Sequence, residues 1–316
     1  AMGDVVHNLP VVSDLRAFIP DCRIDWVVEE AFSAIPALHR GVDQVIPVAM
    51  RRWRKHPFST ETRREVVELR NRLRQCQYDE VIDTQGLLKS ALLAWMANGR
   101  SHGLDWQSSR EPLRMFYDKV YAVPWSVHAV QRNRCLASKA LGYATSEVPE
   151  YGVAAPPESI AFLESAFPAM GAHKFAVLLH ATSAARKQWP EDDWVGLGEY
   201  IAAQGMVSVL PFGSVEERRR SERLAARIRG ARVPPALTLD RLAALMSRAR
   251  IVVGVDTGLT HLAVALGRPT IGLFCATDPA ATGLYGSSLA LTLGGVGIAP
   301  SGDEVASTVK RLLDKS

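Results

Sequence analysis

The stretch VGVDTGLTHLAVALG, residues 253–267, joins an apolar strand to an apolar helix through a short polar turn. The strand ends at Asp256, and Thr257, Gly258 and His261 follow before the apolar residues resume. Strand–turn–helix units of this kind build parallel sheets, whose ligands bind beyond the carboxyl ends of the strands. A turn glycine and free amides at a helix start favour a phosphate. A helix cap with a packed histidine accounts for the same residues equally well.

Apolar runs and amphipathic runs alternate on both sides of this stretch. The pattern predicts strands over residues 24–30, 44–50, 78–83, 175–180, 206–210, 250–256 and 269–275. It predicts helices at the start of the chain and over residues 87–98, 190–205, 215–230, 238–249 and 259–267. Such alternation is typical of an α/β protein with parallel sheets and helices on both faces.

A polar, proline-rich stretch over residues 143–159 predicts a domain boundary. The length of 316 residues suits two domains. We therefore expect two Rossmann-like domains, 1–152 and 153–316, facing each other across a central cleft.

Composition excludes several classes of protein. The chain is 47% apolar and 22% charged, with a formal net charge of +4, as in ordinary globular proteins. Its four cysteines are far apart and have no metal-ligand spacing, so we expect reduced thiols in a cytoplasmic protein. No apolar run has the length of a membrane-spanning helix, and the first residues lack the pattern of a signal peptide.

The nucleotide-binding signatures GxGxxG and GxxxxGK[ST] are missing from the sequence, which argues against a nicotinamide enzyme and a P-loop NTPase. No spacing of acids and histidines indicates a catalytic metal. Basic residues concentrate in RRWRK, residues 51–55, and in residues 63–74. These charges are local and do not form the wider basic stripe of nucleic-acid binders, so we do not expect nucleic acid as a partner.

A second polar loop, HATSAARKQWP, follows the predicted strand at 175–180. Thr182, Ser183 and Lys187 suit a diphosphate, because hydroxyls donate hydrogen bonds and an ammonium neutralises charge. Two such loops in the same half of the chain favour this interpretation. A surface loop anchored by Trp189 is the alternative.

Other candidate residues have a structural explanation of equal or greater weight. Glu217 in LPFGSVEE can bind a ribose diol, but an acid in the first turn of a helix needs no ligand. Asp4 can be a general base or a helix cap. Basic residues of the 51–55 cluster can bind an anionic substrate or form a solvated face, and Arg110 lies in a polar loop.

Five segments taken together resemble one family: MGDVVHNLP, DTQGLLKSA, HATSAARKQWP, LPFGSVEE and VDTGLTHLA with RPTIGLFCATDP. They are similar to the lipopolysaccharide heptosyltransferases of glycosyltransferase family 9. Three N-terminal segments, IDWVVEEAF, IPVAMRRWRK and GLDWQSSREPL, resemble more narrowly the subfamily of heptosyltransferase I, which adds the first heptose. The resemblance spans nearly the whole chain.

The resemblance implies a GT-B fold, with an acceptor-binding domain followed by a donor-binding domain. It also implies an inverting transfer of L-glycero-D-manno-heptose from ADP-heptose to the Kdo of Kdo-lipid A, with neither a metal nor another cofactor. The acceptor is a membrane lipid, so the resemblance implies a peripheral protein on the inner face of the inner membrane.

Roles carry over to the matching positions of this sequence. Asp4 would be the general base, and Lys187 would assist departure of the diphosphate. The donor would contact Thr182, Ser183, Lys187, Glu217, Leu237, Asp256, Thr257 and Gly258, with His261 packed beside it. The acidic acceptor would contact Arg51, Arg54, Lys55 and Arg110.

The family has a strand before its GD motif, whereas this sequence starts almost at that motif. We therefore expect the first sheet to lack an interior strand. Three alternatives stay open: heptosyltransferase II or another family 9 transferase, a nucleotide-sugar epimerase of the same architecture, and a protein that binds the ligand without turnover.

Overall fold

The computed structural model describes residues 1–167, 174–182 and 184–315. They form two compact units. The N-terminal unit comprises His7–Ala37 and Gly41–Pro149, and the C-terminal unit comprises Ala1–Val6, Leu38–Arg40 and Glu150–Ser316. In this division the later segment begins at Glu150, and two short early segments group with it, whereas the sequence suggests a boundary at 152/153.

The N-terminal unit alternates strands and helices, as the sequence predicts. Its elements are α1 (Met2–Phe18, which begins in the C-terminal unit), β1 (Asp25–Glu29), α2 (Ala34–Ala37), β2 (Gln44–Val48), α3 (Met50–Lys55), α4 (Thr60–Gln75), β3 (Gln77–Ile82), α5 (Leu88–Met96), β4 (Asn98–Leu104), β5 (Lys119–Tyr121) and α6 (Ala129–Leu141). The strands form two separate parallel sheets, β1–β2 and β3–β4–β5.

Apolar residues at alternate positions of β2 fix the packing of the first sheet. Ile46 and Val48 pack with Leu69 and Leu73 of α4, all of them buried. Between the two sheets, the Tyr78 hydroxyl of β3 donates to the carboxylate that opens β1.

The C-terminal unit contains one five-stranded parallel sheet. Its elements are α7 (Pro157–Ala166), β6 (Phe175–Leu179), α8 (Glu191–Ala203), β7 (Val207–Val209), α9 (Val215–Arg227), α10 (Leu239–Arg248), β8 (Ile251–Val255), α11 (Gly258–Ala265), β9 (Thr270–Phe274), α12 (Pro279–Thr282), β10 (Ala290–Gly294) and α13 (Gly302–Leu313). The strand order is β10–β9–β8–β6–β7.

Strands β6, β8 and β9 are buried along their whole length, which explains their continuous apolar sequences. The chain moves outward from β6 to β7, then crosses back to β8 on the other side of β6. The strand order thus reverses between β6 and β8, and ligands of open parallel sheets bind at such a point.

Candidate active site

An ion pair lies where β6 and β8 end side by side. Asp256 directly follows β8, and Lys187 closes a 3-10 turn, Ala185–Lys187, in the loop after β6. The Lys187 Nζ lies 2.6 Å from the Asp256 Oδ2. The topology therefore brings together the two loops that the sequence singles out, although they are 69 residues apart.

Asp256 has two further partners. The Thr277 hydroxyl, in the loop after β9, donates to the Asp256 Oδ2 at 2.7 Å, and the His261 Nε2 lies 3.5 Å from the Oδ1. Burial alone would raise the pKa of Asp256, but hydrogen bonds from His261, Lys187 and Thr277 outweigh it and hold that pKa well below its ordinary value. The carboxylate is therefore ionised at neutral pH.

Sequence reasoning missed Thr277. The signal was available, because CATDP follows β9, a neighbour of β8, and polar residues at adjacent strand ends lie close together.

The start of α11 differs in two ways from the expected phosphate turn. The Thr260 amide donates to the Thr257 carbonyl at 3.1 Å, so it is not free for a ligand. A Cβ placed on Gly258 would overlap the side chain of Met2. The Met2 side chain thus occupies the space directly beside the Gly258 Cα, and the contact of the Gly258 region with a ligand stays a prediction.

Asp4 lies on the first turn of α1, in the same unit as Asp256. Its neighbour Gly3 lies against α11, since a Cβ there would be 3.8 Å from the His261 Cδ2. The Asp4 side chain is 64% exposed, and its carboxylate binds the Ala1 amino group. Asp4 is thus an accessible acid next to the helix that follows Asp256.

The remaining donor candidates lie in the loop after β6, in the first turn of α9 and in the loop before α10. Thr182 is half-buried, and its hydroxyl accepts from the Ala184 amide at 3.4 Å. Ser183 lies outside the described residues. Glu217 accepts from the Gly213 amide at 2.7 Å. Leu237 is half-buried in the loop before α10.

Glu217 also has the structural role that the sequence left open. Its own amide donates to the Ser214 hydroxyl at 3.2 Å, so the residue is part of the cap of α9. Glu217 also follows the end of β7, the position at which acids bind ribose in nucleotide-binding sheets.

The basic cluster lies on α3, and its members divide into two groups. Arg52 pairs with Glu30, Glu61 and Glu65. Arg51, Arg54 and Lys55 are exposed. Among the described residues, Arg54 and Lys55 have no ion-pair partner. The three residues of this cluster that are predicted to contact an acceptor therefore present accessible charge, whereas the charge of Arg52 is paired.

Arg110 is exposed in the loop between β4 and β5. Its guanidinium carbon lies 5.9 Å from the centre of the Trp125 ring, and that of Arg132 lies 3.9 Å from it. The Trp125 Nε1 donates to the Gln107 carbonyl at 3.0 Å. Arg110 is thus a surface cation beside a fixed aromatic ring.

Within residues 1–167, 174–182 and 184–315, no three acids, histidines or cysteines are grouped as metal ligands. In the same residues, no helix has both the length and the apolar character to span a bilayer.

The family model "Glycosyltransferase family 9 (heptosyltransferase)" matches residues 66–306. The chain is 45% identical to lipopolysaccharide heptosyltransferase 1 of Pseudomonas aeruginosa, over 91% of this chain and 80% of that protein. It is 42% identical to the Escherichia coli K12 enzyme of the same name, over 91% of this chain and 89% of that protein.

Solved structures agree with these relatives. E. coli heptosyltransferase WaaC with ADP superposes with a TM-score of 0.87 at 38% identity, covering 100% of this chain and 97% of that one. WaaC with ADP-2-deoxy-2-fluoro heptose gives 0.84 at 38% identity, over 100% and 96%. E. coli heptosyltransferase II gives 0.78 at 20% identity, over 99% and 96%, which shows a shared fold.

The two α/β units with parallel sheets have the GT-B architecture that the sequence predicts. Fold, family model and relatives agree, and the chain belongs to glycosyltransferase family 9, the heptosyltransferase family.

Proposed function

We propose that this heptosyltransferase transfers L-glycero-D-manno-heptose from ADP-heptose to the Kdo of Kdo-lipid A, with inversion and without a metal. The pair of Lys187 and Asp256 at the point where the strand order reverses carries the proposal. The solved WaaC structures support ADP-heptose as the donor, because they contain ADP and ADP-2-deoxy-2-fluoro heptose. The relatives' names support the subfamily of heptosyltransferase I.

The donor half of the reaction needs charge stabilisation. When the bond between the anomeric carbon and the diphosphate oxygen breaks, negative charge collects on the departing ADP. The Lys187 ammonium, the Thr182 hydroxyl and the amides near Thr257 and Gly258 are the groups we assign to that charge. Asp256 holds Lys187 in place before the donor arrives, and we assign it a contact with the heptose.

Leu237 and Glu217 are assigned to the nucleoside, the first against adenine and the second on the ribose diol. Ser183 is kept as a further diphosphate contact on sequence grounds. His261 packs against the donor corner through its contact with Asp256.

The acceptor half of the reaction needs one base. A sugar hydroxyl is a weak nucleophile until its proton is removed as it attacks. We assign that step to Asp4, which takes the proton while the oxygen bonds to the anomeric carbon from the face opposite to ADP. The accessible carboxylate of Asp4 beside α11 supports the assignment.

Arg51, Arg54, Lys55 and Arg110 are assigned to the acidic groups of the acceptor. We place the protein in the cytoplasm, peripherally on the inner face of the inner membrane. Each basic residue near an anionic surface contributes about 1 kcal/mol. Flotation with anionic vesicles that is lost at high salt supports this location, and equal recovery with neutral vesicles contradicts it.

The experiment is ADP release from ADP-heptose, with and without Kdo-lipid A and with and without a chelator. We expect release that requires the acceptor, survives the chelator and falls at least about a hundredfold in Asp4→Asn. The matched control is Asp303→Asn, a first-turn acid of α13. Transfer only to an already heptosylated acceptor would indicate heptosyltransferase II. Sugar conversion without acceptor would indicate an epimerase, and binding without turnover would contradict catalysis.

A further inference from the structure

One buried side chain contacts both ends of the loop that carries Thr182 and Lys187. Arg220 lies on α9 and is 8% exposed. Its Nη1 donates at 3.4 Å to the carbonyl of His180, where the loop begins. Its Nη2 donates at 2.9 Å to the carbonyl of Trp189, where the loop ends. A single guanidinium therefore spans the loop.

A guanidinium is suited to this position because its donors are held in a rigid planar fork. The fork sets the separation of the two carbonyls, and with it the opening of the loop between them. A lysine ammonium at the same position is a compact charge on a flexible stem and does not reproduce the fork.

The neighbours of Arg220 fix the two ends of the loop. The Ser221 hydroxyl lies 2.8 Å from the His180 Nε2, and the Trp189 Nε1 donates to the Pro300 carbonyl at 2.8 Å. The Glu191 Oε1 lies 3.4 Å from the Arg220 Nε and balances its charge. The Lys187 side chain, between the two ends, is 23% exposed and pairs with Asp256.

The same helix carries the acid assigned to ribose. Glu217 precedes Arg220 by three residues, so the two side chains lie on neighbouring parts of one helix face. Helix α9 thus connects the carboxylate at the end of β7 with the loop at the end of β6.

We propose that Arg220 is a positioning residue for the nucleoside diphosphate. It fixes the loop so that Lys187 and Thr182 meet the diphosphate at a set distance from Glu217. This inference rests on the proposed function, and it concerns a residue that we do not expect to touch the ligand.

The test compares Arg220→Lys with Arg223→Lys. Arg223 lies on the same helix and pairs with the same Glu191 carboxylate, but its side chain is 58% exposed. For both variants and the wild type, the affinities for ADP and adenosine are measured by calorimetry, together with kcat, KM for ADP-heptose and the melting temperature.

We expect R220K to weaken ADP binding about tenfold and to raise the donor KM to match, because a displaced loop loses its contacts to the diphosphate. Adenosine affinity should change less than about twofold, since the nucleoside contacts lie outside the loop. R223K should keep wild-type values for both ligands.

An unchanged ratio of ADP affinity to adenosine affinity in R220K overturns the inference, whether both affinities stay the same or fall equally. If R220K melts below the assay temperature, the same ratio is measured on Arg220→Gln, whose amide can donate to one carbonyl. A wild-type protein that binds no ADP overturns the proposed function and this inference together. Wild-type binding with an unchanged ratio overturns this inference alone.

Discussion

His180 is a buried histidine whose environment opposes its charge. It is fully buried at the end of β6. Burial, together with the nearby positive charge of Arg220, lowers the pKa of His180 from 6.5 to about 4. The imidazole is therefore neutral at pH 7, and protonation favours the unfolded chain.

This pKa predicts a specific acid sensitivity. Between pH 6.5 and about pH 4 the unfolded chain binds the proton and the folded chain does not. The free energy of unfolding should therefore fall by up to about 1.4 kcal/mol per pH unit from this group as the pH is lowered through that window. Urea unfolding of the wild type and of His180→Gln at several pH values measures it. Equal slopes in the two proteins would contradict the prediction.

The accessible cations of α3 predict a selective effect on the acceptor. Arg54→Gln should raise the KM for Kdo-lipid A about twofold to fivefold and leave the KM for ADP-heptose unchanged, because an exposed charge pair contributes up to about 1 kcal/mol. Arg70→Gln on α4 is the matched control, since it removes the same charge from another exposed position. Steady-state kinetics decide, and equal effects of the two variants would show a general charge effect.

At the level of single residues, Asp256 and Lys187 could be predicted, because both are polar residues in loops that follow recognisable apolar strands. Arg220 was not predictable. It lies in a run of arginines on an amphipathic helix, and only the packing shows that this one is buried against two carbonyls.

Helix α8 contains two glycines two residues apart, and they face different surroundings. A Cβ on Gly196 would have no neighbour within 4 Å. A Cβ on Gly198 would lie 2.5 Å from the Cδ1 of Ile228, which is buried. Close packing of the helix against Ile228 thus requires a glycine at position 198, whereas the space around position 196 admits a side chain.

Alanine substitutions at these positions should therefore have opposite effects. Gly196→Ala should stabilise the protein by about 0.5–1 kcal/mol, because alanine loses less conformational freedom in a helix. Gly198→Ala should destabilise it by about 1–3 kcal/mol through overpacking against Ile228. Denaturant unfolding of both variants at one pH gives the comparison. A stabilised Gly198→Ala would contradict the packing argument.

The predicted strands and helices are found within a few residues of their expected ends, because periodicity and caps are local signals. The pairing of strands was less accessible. β1–β2 and β3–β4–β5 are separate sheets, and β6 lies between β7 and β8, which only tertiary contacts determine.

On the scale of the whole molecule, the proposed nucleotide and phosphate contacts all belong to the C-terminal unit. ADP at about one hundred times its Kd should stabilise that unit by about 2.7 kcal/mol. Hydrogen exchange should slow at the loops after β6 and β8 and stay unchanged in β1–β5. Inorganic phosphate at the same concentration is the control. Unchanged exchange at residues 184–188 in ADP would contradict the site.

The assignment of residues to units could not be read from the linear sequence. A proline-rich stretch indicates a boundary near residue 150, but the structure also groups residues 1–6 and 38–40 with the later part of the chain. Such assignments depend on packing between distant segments, for which a single sequence has no signal.

Helix α1 passes from one unit to the other between Val6 and His7. Pro10 lies one turn later and has no N–H to donate to the carbonyl of Val6, so the helix lacks a bond at that crossing. A chimaera of two such transferases that is joined by a single cut near residue 150 would therefore separate residues 1–6 from the unit to which they belong. The fragment carrying Lys187 and Asp256 should bring its own first six residues, so that Asp4, the proposed base, stays with the proposed donor-site residues.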